Sequence, residues 1–228
     1  MVDVIDAPSP NFDDRGRGVD SIVLHYTGMT SGPDALARLR DAEAKVSSHY
    51  LVELDGRVYR LVAEEKRAWH AGVSSWNGES DLNARSVGIE VVNPGHEWGY
   101  TDFPDTQVQA VIALVRAIMK RHNVSRRRVL GHSDVAPERK EDPGEKFPWD
   151  RLAAEGLAIA PYTGDPDPTV PYEKALIALA DIGYAAPPGA HAAAVLAFQR
   201  RFCPQALGQA LNPLTKAALV AIAEEMRR

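Results

Sequence analysis

Apolar residues along the chain follow two rhythms. Ser21-Ile-Val-Leu-His-Tyr-Thr27, Ser86-Val-Gly-Ile-Glu-Val-Val92 and Val129-Leu130 are short, nearly unbroken apolar runs and read as interior strands. Ser48–Leu54 and Val58–Val62 flank Asp55-Gly56, the turn expected between the paired strands of a hairpin. The second rhythm is helical: Val108, Val111, Ile112, Val115, Ile118 and Met119 predict an amphipathic helix from Thr106 to about Arg121 that covers one face of a sheet. Pro33 sits in the first turn of an Ala-, Leu- and Arg-rich helix reaching about Ala44, with Ser31 or Gly32 as its cap. A short helix is expected from Trp149 to Glu155, and residues 1–18, rich in Pro, Asp, Gly and Arg, read as an extended arm. Strands alternating with helices define an α/β unit.

The pattern changes after residue 160. Residues 160–171 contain four prolines and read as a stiff linker. Tyr172–Ile182, His191–Phe202 and Leu214–Met226 then have helical patterns and the size of a three-helix bundle. The expected plan is a catalytic-sized domain over 1–160, a linker over 161–170 and a small helical domain over 171–228, which suits a chain of 228 residues.

Composition narrows the function. Hydrophobic residues make up 45% and charged residues 25%, enough for a buried core, and a net charge of −5 argues against nucleic acid as a partner. Arg126-Arg127-Arg128 is too short to reverse that and reads as a solvated turn. Cys203 is the only cysteine, which excludes an intramolecular disulfide. Met1–Pro8 has neither a basic region nor an apolar one, and no run reaches a membrane-spanning length. The expectation is a cytoplasmic protein, or a periplasmic, cell-envelope one if a signal has been removed.

The densest chemistry lies between Val129 and Gly144. His132 leaves the end of a buried strand, where α/β sheets place ligands, and Pro137 and Pro143 constrain the loop that holds Lys140 and Asp142. His25 also ends an apolar strand. With Asp142 the two histidines would make a three-ligand zinc site with an open position, yet hydrogen-bonded histidines near the core fit the same pattern. Glu90 interrupts an apolar run, so it is either a desolvated acid with a raised pKa or one side of a salt bridge. Lys140 could stabilise an oxyanion or be a solvated loop lysine, and Trp69-His70 could wall a ligand cleft or belong to the core. His49 and His122 read as structural, and His96 and His191 carry no chemical argument.

Five separated blocks decide between these readings: Ile-Val-Leu-His25-Tyr-Thr, Ser-Ser-His49-Tyr-Leu-Val, Arg67-Ala-Trp69-His70-Ala-Gly, Ser86-Val-Gly-Ile-Glu90, and Gly131-His132 through Lys140-Glu-Asp142-Pro-Gly. In this order, over residues 20–150, they resemble the type-2 N-acetylmuramoyl-L-alanine amidases, nearest the AmpD and AmiD branch. The resemblance implies a central mixed β-sheet flanked by helices and one Zn2+ per chain held by His25, His132 and Asp142. It further implies Glu90 as general base and Lys140 as oxyanion stabiliser, acting on the amide between N-acetylmuramic or anhydromuramic acid and L-Ala of peptidoglycan or a muropeptide. Trp69, His70 and Arg85 are the expected substrate contacts. Arg85 is included because related enzymes carry, at the position of Asp81, an Arg that pairs with a stem-peptide carboxylate.

The C-terminal segments Leu179-Ala-Asp-Ile-Gly183-Tyr184, Ala197-Phe198-Gln199-Arg200 and Asn212-Pro213-Leu214-Thr215 resemble the helical peptidoglycan-binding domain often joined to wall hydrolases. A non-catalytic peptidoglycan-binding or sensing protein is the competing reading; inactive relatives typically lose a zinc ligand, and here all three are present.

Overall fold

The computed structural model describes residues 3–187 and 189–228. Ten strands occur among them: β1 (Val4–Asp6), β2 (Phe12–Asp14), β3 (Ser21–Tyr26), β4 (Tyr50–Val52), β5 (Val58–Arg60), β6 (Lys66–Ala68), β7 (Ser75–Trp76), β8 (Glu79–Ser80), β9 (Ser86–Val91) and β10 (Val129–Gly131). The helices are α1 (Gly32–Arg40), α2 (Leu82–Arg85), α3 (Gly95–Trp98), α4 (Asp105–His122), α5 (His132–Val135), α6 (Trp149–Ala154), α7 (Tyr172–Ile182), α8 (His191–Phe202) and α9 (Pro213–Arg227). The central sheet runs β1-β5-β4-β9-β3-β10. It is mixed, as expected: β4 and β5 form the antiparallel hairpin, and the other neighbouring pairs are parallel.

Alternation along these strands divides the sheet into two unlike faces. Ile22, Leu24, Val87, Ile89, Val91 and Val129 point to one side and pack with Val108, Val111, Ile112, Val115 and Ile118 of α4 in a single buried cluster. The side chains between them face the other way. Leu51 meets Ala35 and Leu39 of α1. Val23 and Leu130 meet the C-terminal helices. Ser31 caps α1, its hydroxyl accepting from Asp34 N at 3.2 Å.

Within the expected arm, residues 3–18 are more ordered than an extended segment. β1 pairs with β5 and β2 with β6, so the hairpin edge is covered by the chain's own start. Arg15 is buried there and donates to the carbonyls of Glu64, Lys66 and Ser86. Burial lowers its pKa to about 10, against the pull of Glu64. The arginine thus ties the loop at Glu64 to the starts of β6 and β9.

The three C-terminal helices fall at Tyr172–Ile182, His191–Phe202 and Pro213–Arg227, within a residue of the bounds the apolar pattern predicts. The core is continuous across the expected domain boundary. Val23, Trp76, Leu82 and Leu130 share one buried cluster with Leu179, Tyr184, Phe198, Phe202 and Leu219. Trp76 meets the Tyr184 ring edge-on at 5.0 Å between centroids. It also lies over Gly183, where a Cβ would come 2.7 Å from the indole and φ is +125°. The proline-rich segment lies along these helices, with Tyr162 N bonded to Phe202 O at 2.8 Å and Lys216 Nζ to Val170 O at 2.6 Å.

Trp76→Ala is expected to cost about 3–5 kcal/mol and to lower the melting temperature by roughly 6–20 °C. Because one cluster spans both parts, calorimetry should give a single transition for the full chain. Two resolved transitions would contradict the shared core.

Candidate active site

Three neighbouring parallel strands build the centre. In the β3–β9 register His25 is opposite Glu90, and in the β10–β3 register Gly131 is opposite Leu24, which brings His132 level with His25. All three chemical residues therefore stand at the carboxyl ends of adjacent strands, on the face not covered by α4. His132 opens α5, and the loop that follows returns Asp142 to the same point, with Ser133 N donating to Asp142 O at 2.8 Å. The Asp142–Pro143 peptide is cis.

His25 Nδ1, His132 Nδ1 and Asp142 Oδ2 form a triangle with sides of 2.9, 2.9 and 3.0 Å. All three residues are buried. The surrounding hydrogen bonds decide where the imidazole protons are. His132 Nε2 faces the carbonyl of Ala71 at 3.1 Å and must donate to it, which leaves Nδ1 bare in the neutral ring. For His25 the logic runs through two more residues. Ser86 donates its hydroxyl to Leu82 O at 2.5 Å and so accepts from His70 Nε2 at 3.3 Å. His70 Nδ1 is then bare and accepts from His25 Nε2 at 3.1 Å. His25 Nδ1 is bare in turn.

Two nitrogen lone pairs and a carboxylate oxygen thus converge with no proton between them, an arrangement that a divalent cation satisfies. The donor set suits tetrahedral binding with one open position, for which donors lie roughly 3.3–3.6 Å apart. The triangle is a few tenths of an ångström tighter than that. Burial, then His132, lowers the pKa of His25 to about 4. Burial opposes the charge of Asp142, and positive charge on the facing His132 and His25 nitrogens, or a cation in place of it, holds the carboxyl far below its usual range.

Glu90 is the opposite case. Burial, reinforced by Asp142, raises its pKa well above the usual value, with Lys140 pulling the other way. Its Oε2 is buried and without a hydrogen-bond partner among the described residues. Lys140 is half-buried on the loop two residues before Asp142, and its charge opposes the effect of burial on Glu90.

The expected substrate contacts fare differently. His70 is 6% exposed and stands behind His25, so it does not line a cleft. It fits there because position 88 is glycine: a Cβ at Gly88 would come 2.5 Å from the His70 ring. Arg85 precedes β9 and so lies at the opposite end of the strands from His25 and Glu90. Its guanidinium is engaged by Asp20 and Glu79, which leaves it no free charge for a peptide carboxylate. Asp81 pairs with Arg67 at 2.8 Å. Trp69 is half-buried, its indole N–H donating to Asp13 at 3.1 Å.

Ser86, Asp134 and Arg139 are site residues that sequence reasoning passed over. Arg139 donates to the Ala71 carbonyl that also receives His132 Nε2. Its place between His132 and Asp142 was the available signal.

A family profile described as N-acetylmuramoyl-L-alanine amidase matches residues 15–145, and the chain belongs to that family. It is 35% identical to N-acetylmuramoyl-L-alanine amidase AmiD of Escherichia coli, over 90% of this chain and 82% of that protein. It is also 32% identical to 1,6-anhydro-N-acetylmuramyl-L-alanine amidase AmpD of Enterobacter cloacae, over 68% of this chain and 90% of that one. Among solved structures, the complex of E. coli AmiD with anhydro-N-acetylmuramic acid-L-Ala-D-γ-Glu-L-Lys superposes with a TM-score of 0.83 at 33% identity, covering 93% of this chain and 90% of AmiD. AmpDh3 of Pseudomonas aeruginosa superposes at 0.81 and 31% identity, with 96% of each chain covered.

Gly88→Ala should push the His70 ring away from His25 and weaken the binding of a divalent cation at the triangle by about tenfold or more. Competition with a chromophoric chelator measures this. Unchanged affinity would show that the His25–His70 contact is dispensable.

Proposed function

We propose that this protein is a zinc-dependent amidase that cleaves the bond between the lactyl carbonyl of N-acetylmuramic or anhydromuramic acid and the nitrogen of L-Ala. The observation that carries the reading is the proton-free triangle of His25, His132 and Asp142 with Glu90 beside it in register. His25, His132 and Asp142 would hold zinc, whose Lewis acidity makes water nucleophilic at neutral pH and polarises the scissile carbonyl.

The remaining steps belong to the chain's own residues. Glu90, whose proton affinity is raised by burial, takes the proton of the attacking water as the new C–O bond forms. Lys140 compensates the negative charge that grows on the carbonyl oxygen. When the C–N bond breaks, Glu90 returns its proton to the departing nitrogen of L-Ala. His70 and Ala71 O keep the two histidines in the required tautomer throughout.

Both soluble muropeptides and the polymeric wall contain this bond. The match to AmiD and AmpDh3 covers more than nine-tenths of the chain, so it includes most of the helical unit. That unit presents a groove of about 540 Å³ lined by Tyr172, Leu176, His191, Val195 and Leu211, the surface we assign to glycan strands of the polymer. Among the described residues no helix is long and apolar enough to cross a membrane. A wall substrate implies a protein at the cell envelope, and a recycled anhydro-muropeptide implies one in the cytoplasm.

Incubation with intact sacculi and with purified anhydro-muropeptide, each with and without chelator, identifies the substrate by product mass. Release of the free stem peptide, abolished by chelator, is the expected result; tight binding without any product would favour a sensing role. Asp142→Ala is expected to lose bound zinc and activity together, and full turnover by demonstrably metal-free protein would refute the zinc mechanism. Glu90→Gln should retain zinc and fold while kcat falls by about 100-fold or more. Wild-type turnover in that variant would reassign the base.

A further inference from the structure

Two consecutive arginines of α8 reach out of the C-terminal helices and bind the loop that carries His132 and Asp142. Arg201 forms a buried ion pair with Asp134, two residues after His132, and donates to Val129 O, three residues before it, at 2.9 Å. Its guanidinium lies 4.1 Å from the ring centroid of Trp149. Arg200 pairs with Glu141, the residue before Asp142, at 3.3 Å and approaches Glu145 at 3.7 Å. Tyr184, at the end of α7, donates to the second oxygen of Asp134 at 2.6 Å. Asp134 is fully buried, and its remaining bond is from Gly131 N at 2.7 Å.

We propose that Arg200, Arg201 and Tyr184 are positioning residues for the metal centre, so that the C-terminal helices are a working part of the amidase and not solely a wall-binding attachment. The proposal rests on the zinc reading of the His25, His132 and Asp142 triangle.

The physical reason is the geometry of the loop. The chain leaves β10 at Gly131 and must return Asp142 to within 3.0 Å of His132 Nδ1. Few of its own hydrogen bonds enforce that return; Ser133 N to Asp142 O is the direct one. Arg201 supplies a rigid planar fork that holds β10 and α5 at a fixed separation through Val129 O and Asp134. Arg200 engages the other end of the loop next to Asp142. Because adjacent residues of one helix make both contacts, the two donor-bearing ends of the loop are referred to a single rigid body. A buried ion pair that only glued two surfaces would have no need to bracket both ligands.

The test compares Zn2+ affinity, by competition with a chromophoric chelator, in wild type, Arg201→Gln, Arg200→Gln, Tyr184→Phe and Arg126→Gln. Arg126 pairs with Glu225 of α9 and so joins the same two parts of the molecule without touching the loop. The expectation for folded Arg201→Gln is Zn2+ affinity weaker by about 10-fold or more, the range of outer-shell effects, with kcat reduced and KM for soluble muropeptide within roughly twofold. Arg200→Gln and Tyr184→Phe should shift affinity in the same direction by less, and Arg126→Gln should leave it unchanged. If Arg201→Gln does not fold by circular dichroism, Tyr184→Phe, which removes one hydroxyl, and Arg200→Gln decide the matter by the same criterion. Unchanged zinc affinity in the folded variants, or an equal loss in Arg126→Gln, overturns the proposal. Failure of wild type itself to bind zinc would instead sink the reading of the site on which it rests.

Discussion

Bringing two bare imidazole nitrogens and a carboxylate oxygen to about 3 Å of one another is unfavourable unless a cation lies among them, and much of the structure serves to hold that arrangement. Each imidazole is fixed from behind by an acceptor: Ala71 O for His132, and His70 for His25. The second contact works only because Ser86 and Leu82 O orient the His70 ring and Gly88 makes room for it. Every proton in that chain points away from the centre, so the outward hydrogen bonds leave both Nδ1 atoms bare toward it.

Two carboxyl groups stand within this small volume and are driven in opposite directions. Asp142 is held in its ionised form against burial by positive charge on or between the two imidazoles it faces, whereas Glu90, one strand away and without a hydrogen-bond partner for Oε2 among the described residues, gains proton affinity. In the proposed mechanism the ligand must remain an anion and the proton carrier must exchange, and this difference in surroundings suits those two roles.

The two faces of the sheet explain how such a polar centre is tolerated. One face is packed against α4, with Trp149 and Leu152 of α6 and Phe103 and Phe147 of the loops completing an apolar core that contains none of the site residues. The other changes character along each strand, from Val23 and Leu130 in the interior to His25 and His132 at the ends. The C-terminal helices cover Val23 and Leu130 on that face and stop beside the loop between His132 and Asp142, where Asp134 accepts bonds from both Arg201 and Tyr184. Stability and chemistry therefore share the same few residues at that edge.

Local pattern was enough to find the longer elements, but not the short strands β1, β2, β6, β7 and β8. The helices at 172–182 and 191–202, the amphipathic α4 and the strands ending at His25 and Gly131 follow from apolar spacing, which acts over a few residues. For His25, His132, Asp142 and Glu90 the apolar pattern fitted structural roles equally well, and it was the resemblance of five separated blocks that singled them out as a candidate site. What the sequence could not determine is which end of a strand, which face and which neighbour a side chain meets. Arg85 is five residues from Glu90 along the chain, yet strand extension carries it to the far end of the sheet and into Asp20 and Glu79. His70 looked like a cleft wall beside Trp69, and only the packing against Gly88 turned it behind His25. Asp134 was one carboxylate among several until the fold set Arg201, 67 residues later, against it. The residues of the proline-rich stretch predicted a spacer, but nothing local in them could reveal that Trp76, Leu130 and Phe198 would share one core. Those contacts are long-range pairings, and they exist only once the sheet has closed.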